Sequence, residues 1–154
     1  MSRRHMTTKD YDVVMSVLSI RFTDDGRYQR LKDAAAASRM AMSPLAEELI
    51  DEGLRMRAHP LIVFRSGPAG RRPALTFGPE VIDVVGAIIG GDVAPEERRM
   101  RAADLLSIPL RAVDAAMEYY ADHTTEIDLD MAARVQLADE LEARWREGQG
   151  LIGR

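Results

Sequence analysis

Three histidines and no cysteines limit the side-chain chemistry available to this 154-residue chain. His123 has the most charged surroundings in sequence, with Glu118, Asp122 and Glu126 close by. On a helix, Tyr119 and His123 share one face, and Glu118 and Asp122 share another. A zinc site needs more nitrogen or carboxylate ligands than these, and no His-x-x-x-His pair exists. No Ser-His-Asp pattern stands out. His123 therefore reads as a helix C-terminal residue meeting the helix dipole. Gly67-Pro68-Ala69-Gly70-Arg71-Arg72 is the closest approach to a phosphate loop. It lacks the Lys-Ser/Thr ending and the helix that nucleotide loops need. It reads instead as a hairpin turn with two solvated arginines. No catalysis, cofactor or metal is expected.

The elements that carry these residues follow from periodicity. Tyr11 to Thr23 alternates as a strand. Val14, Leu18, Ile20 and Phe22 take one face, interrupted by Ser16. Val17, Ser19, Arg21 and Thr23 take the other. Thr23 and Asp24 offer cap chemistry for a helix over 25–39. Ser43 then caps a second helix with Pro44 in its first turn. Its apolar stripe is Leu45, Ala46, Leu49, Ile50, Gly53 and Leu54. Gly53 weakens a helix unless something approaches closely there, and a dimer contact is the expectation. His59-Pro60 ends the second helix. A hairpin pairs 61–65 with 72–77. Further helices are expected at 80–89, 96–106, 110–123 and 129–147, the last capped by Asp128. The arm 1–11 and the end 148–154 read as disordered or frayed.

Charge divides unevenly along the chain. Residues 1–72 carry a net charge of +4, and residues 73–154 carry −8. Only the first half suits a polyanion. No run of eighteen apolar residues suggests a membrane span, and no signal peptide is apparent. A soluble cytoplasmic chain is expected.

A lone strand before two amphipathic helices is an incomplete object, with two unpaired edges and little cover. Two copies complete it. The strands pair antiparallel across a two-fold axis and four helices cover the inner face, so dimerisation is part of folding. A two-stranded ribbon also fits the DNA major groove.

Residues 17–56, from Val-Leu-Ser-Ile-Arg-Phe-Thr to Met-Ser-Pro-Leu-Ala-Glu-Glu-Leu-Ile-Asp-Glu-Gly-Leu, resemble the ribbon-helix-helix (MetJ/Arc) superfamily of repressors and antitoxins. The resemblance implies an intertwined homodimer over 12–58, in a mainly α chain. It implies that Val17, Ser19 and Arg21 read bases in double-stranded operator DNA. Arg21 is suited to pair bidentately with guanine. It further implies phosphate contacts at Thr23 and at Ser43, beside a helix N-terminus. Ser38-Arg39 stands where family members often have glycine.

The stretches 59–75 and 106–123 resemble a small helix-turn-helix domain of bacterial antitoxins, known only as domain of unknown function four-three-three. The second stretch ends in a Tyr-Tyr-x-x-His-like signature. This implies a helix-turn-helix-like domain with a leading hairpin over 59–128, then a C-terminal helix and tail over 129–154. Arg111, Asp114 and Glu118 lie on the exposed face of its presumed recognition helix, and the two acids disfavour DNA there. A protein-binding or dimer-supporting role is expected instead. The two modules together resemble the antitoxin of a type II toxin–antitoxin pair. That implies a PIN-like ribonuclease toxin as partner and a bacterial, nucleoid-associated cytoplasmic location. The last helix carries Met131, Val135, Ala138, Leu141 and Trp145. With Leu151 and Ile152, Leu141 and Trp145 are candidate toxin contacts. A stand-alone transcription factor, or a protein-binding adaptor without a toxin, remains the alternative.

Overall fold

The computed structural model describes residues 16–68, 70–89 and 93–152. It is mainly helical, with one small antiparallel sheet. The chain divides into two compact units, 1–45 and 46–154.

In the first unit, residues 16–22 carry no helix or strand. The expected strand over 11–23 is therefore not formed in its described part, and 11–15 lie outside the described residues. A strand needs a ladder partner, and the only ladder among the described residues joins two later segments. Helix α1 spans Asp25–Ser38. Asp24 caps it, its carboxylate accepting from the Gly26 N–H at 2.8 Å. Arg39 ends α1 in the left-handed region, at φ 55°, and its N–H reaches back to the Ala35 and Ala36 carbonyls.

Helix α2, Met42–Ala58, crosses the boundary between the units. It starts one residue before Ser43, because the Ala41 carbonyl already accepts from the Leu45 N–H at 3.3 Å. Ser43 thus sits inside the first turn, not at the cap. Pro44 is tolerated there because first-turn N–H groups have no helical acceptor.

The second unit builds on a hairpin. Strand β1 (Ile62–Gly67) pairs antiparallel with β2 (Gly70–Leu75), in a register from Ile62↔Leu75 to Gly67↔Gly70. Gly70 turns the chain at φ +99°, a conformation L side chains rarely adopt. Helices α3 (Val81–Ile89), α4 (Pro95–Leu106) and α5 (Leu110–Asp122) pack on one another, and α3 and α5 also pack on the hairpin. Their shared core holds Ile62, Leu75, Val81, Val84, Val85, Ala102, Ile108, Val113, Ala116 and Tyr119, closed by Ile127. Helix α6 spans Thr124–Ile152. It starts earlier than the Asp128 cap implied and runs past the expected end at 147. Asp128 instead accepts from the Tyr120 hydroxyl at 2.8 Å. No helix among the described residues is long and apolar enough to cross a membrane.

Candidate functional site

Arg55, near the end of α2, is the centre of a polar cluster in the second unit. Its Nη1 donates to the Tyr119 hydroxyl at 3.0 Å and to the Glu126 carboxylate at 2.6 Å. Its Nε lies 2.9 Å from Asp51, one turn back on α2. Its guanidinium also stands 5.9 Å from the Phe64 ring centre. One side chain thereby ties α2 to β1, α5 and α6. Burial works against its charge, yet the bonds to Tyr119 and Glu126 outweigh that and raise its pKa. Burial raises the pKa of Tyr119, and the Arg55 bond only partly offsets it.

His59 and His123 complete the cluster. His59 Nε2 lies 3.2 Å from Asp122. The His59 ring meets the rings of Tyr119 and His123 at 5.1 and 5.9 Å. His123 caps α5, its N–H bonding the carbonyls of Tyr119 and Tyr120. His123 stands at the C-terminal end of α5, as expected. Burial, and then the Arg55 charge, hold its pKa below the ordinary histidine value. The Tyr119–His123 pairing expected from helical spacing is present, with ring centres 4.4 Å apart. Arg55 and His59 were not singled out in the sequence. Their positions follow from where α2 ends against α5, which local periodicity does not encode.

Of the two hairpin arginines expected to be solvated, Arg71 is exposed but bound to an acid, and Arg72 is largely covered. Arg71 makes a two-pronged bond to Glu52, at 2.5 and 2.8 Å. Glu52 is only 6% exposed. That hydrogen bond, opposed by burial, raises the Arg71 pKa. Arg72 is 12% exposed at its side chain and lies 3.4 Å from Asp130. The cause is topological: antiparallel pairing folds the arginine pair back over α2 and α6. A second arginine, Arg65, donates to the carbonyls of Gly78, Leu75 and Thr76 and fixes the connection into α3.

Helices α4 and α5 follow one another across the short connection 107–109 and pack together. Ser107 turns at φ 53° and Ile108 is buried beneath the turn. Arg111 and Glu118 are exposed. Asp114, counted as a free acid from sequence, is bonded by Arg99 from α4.

Of the residues expected to meet DNA, Val17, Ser19, Arg21 and Thr23 lie in or next to the first unit's irregular segment, and Ser43 lies in the first turn of α2. Val17 is 91% exposed, and Ser19, Arg21, Thr23 and Ser43 are exposed. Arg21 has no ion-pair partner among the described residues. Leu141 and Trp145 are exposed on α6. Leu151 and Ile152 fall in its last turn, and their side chains lie outside the described residues. Among the described residues no group of three His, Cys, Asp or Glu side chains is arranged to hold a metal.

No family model, no curated protein and no solved structure matches this chain.

Proposed function

We propose that the chain is a DNA-binding homodimer that represses transcription, and that it acts as the antitoxin of a type II toxin–antitoxin pair. The observation that carries the DNA-binding part is the uncovered apolar set of residues 16–22. Val17, Leu18 and Ile20 are all more than half exposed in the single chain. Apolar residues clustered in this way mark an interaction surface. A second copy, pairing strand to strand, hides Leu18, Ile20 and Phe22 and turns Val17, Ser19 and Arg21 outward. Arg21, without an ion-pair partner among the described residues, is then free to reach a guanine edge. The positive net charge of residues 1–72 supports approach to phosphates.

The antitoxin part rests on the pairing of two sequence resemblances and on the exposed apolar residues of α6. The partner would be a PIN-like ribonuclease, held by Leu141, Trp145 and the α6 end. The second unit supports this as scaffold: Asp114 is already bonded to Arg99 and Glu118 is exposed, so α5 offers little to DNA.

The test is fluorescence anisotropy on the gene's own upstream DNA against a scrambled duplex, over a salt series. Tight binding to the upstream DNA alone is expected. Equal binding to both, with a steep salt slope, would mark an architectural protein and sink the repressor reading. Absence of binding to either would reduce the segment to a dimerisation device.

A further inference from the structure

We propose that the turn bearing Phe77 docks into a hollow on α4 of a second copy of this chain. Phe77 stands in the connection from β2 to α3 and is 94% exposed. Leu61 and Pro109 line the same small hollow as Phe77 and are exposed too, so the ring belongs to a patch. The turn that carries the ring is fixed. Arg65 donates to the carbonyls of Leu75, Thr76 and Gly78 on either side of it. The Thr76 hydroxyl and N–H both bond the Leu61 carbonyl. A Cβ at Gly78 would lie 3.2 Å from Leu75 and 3.5 Å from Ile108, so the turn sits tightly against the α4–α5 connection. A ring held out from a fixed turn loses little freedom when it docks.

The receiving surface is the outer face of α4. Val93, Met100 and Leu105 line an open hollow of about 790 Å³, and Met100 and Leu105 are each more than half exposed. A methionine suits this task, because its thioether is adaptable and favours contact with an aromatic ring. Charge selects a second copy as occupant. Glu97 and Asp104 rim the hollow and outweigh Arg101 between them. Arg65 and Arg111 flank the Phe77 turn. None of these five charges has an ion-pair partner among the described residues. One surface thus offers a ring and cations, and the other an apolar hollow with acids. Both belong to the second unit, and within one chain they do not meet, since Phe77 lies uncovered. The contact joins different residues on its two sides, and every copy carries one of each.

Benzoylphenylalanine in place of Phe77 keeps an aromatic ring and, when irradiated, bonds covalently to adjacent C–H groups. This chain is unfolded and refolded together with an isotopically heavy parent chain, then irradiated. Mass spectrometry is expected to find position 77 joined to Met100 or Leu105 of the heavy chain. The mass label separates contact between copies from contact within one, whatever number of chains the ribbon brings together. Met100→Glu in the heavy chain should cut the yield about tenfold or more, the loss typical of an interface anchor. Arg111→Glu beside the photoreactive ring should lower it too, and Glu97→Arg with Asp104→Arg in the heavy chain should restore it. Rising salt should lower the yield of the unaltered pair. All these positions are exposed, so the fold is expected to stand in each variant, checked by helical circular dichroism. Cross-links that form only within one chain, that reach other sites between copies, or that ignore Met100→Glu would overturn the proposal. So would position 77 joining a second protein in preference to the heavy chain. None of these variants touches residues 16–22 or the outer part of α6, so the DNA and toxin readings stand or fall on their own measurements.

Discussion

Among single residues, Arg55 and His123 are coupled most closely. His123 stands beside a fixed cation, with His59 on its other side and Glu126 and Asp122 as the nearby acids. Tyr119 stacks against it, and Asp51 holds Arg55 from behind. Burial and Arg55 together depress its pKa below the ordinary value of 6.5. The unfolded chain therefore takes up this proton first. Stability from this group is full at neutral pH and is lost as pH falls from about 6.5 through the depressed value. Urea unfolding of the whole chain, followed from about pH 7.5 to about pH 5, should show a falling midpoint, and His123→Asn should flatten that fall. Equal slopes in parent and variant would mean that His123 does not set the pH response. The sequence displayed Tyr119 and His123 on one face, because helical spacing is local. It did not display Arg55, whose partners lie 64 and 71 residues away along the chain. Nor did it display the burial of Glu52, which lies off the apolar stripe of α2. Its cover is Arg71, delivered by the hairpin.

At the level of elements, the helices were legible wherever their stop signals were local. Asp24 caps α1, and α3, α4 and α5 begin and end within a residue of the expected 80–89, 96–106 and 110–123. The start of α6 was not legible. Asp128 had the chemistry of a cap, but Thr124 starts the helix one residue after His123, and the Tyr120 hydroxyl claims Asp128. The expected strand over 11–23 is absent from 16–22 in the single chain for a different reason. Alternation states which face is apolar, but a ladder depends on a partner that one chain does not contain. Gly53 tests whether such a partner approaches α2. A Cβ added there meets nothing within 4 Å in the single chain. Gly53→Ala should then stabilise α2 by about 0.5–1 kcal/mol, seen as a higher urea midpoint at low protein concentration. If a second copy packs its backbone against Gly53, the same variant should weaken dimerisation in a dilution series. A variant neutral in both measurements would remove Gly53 from the interface and show the position to be strained by other means.

On the scale of the whole molecule, charge divides unevenly between two halves that both carry exposed apolar side chains. The positive half carries the irregular segment 16–22 with its uncovered apolar side chains, and the acidic half carries the packed core. Phosphate attraction alone would draw DNA to the first half without regard to sequence, and it would fade with salt. Sequence preference needs a side chain at a base edge, and Arg21 is the residue suited to that task. Arg21→Ala should therefore cost the operator more than it costs a scrambled duplex. A good bidentate guanine contact contributes about 1–3 kcal/mol of discrimination, and a two-fold dimer presents it twice. The expected result is at least about a tenfold loss of preference with little change in salt slope. The mass in sedimentation should stay at that of the parent, because the proposed ribbon turns Arg21 outward, away from the face it shares with the second copy. A uniform loss on both duplexes, with a shallower salt slope, would assign Arg21 to a phosphate and move base reading elsewhere. An operator preference untouched by the change would remove the segment from the groove altogether.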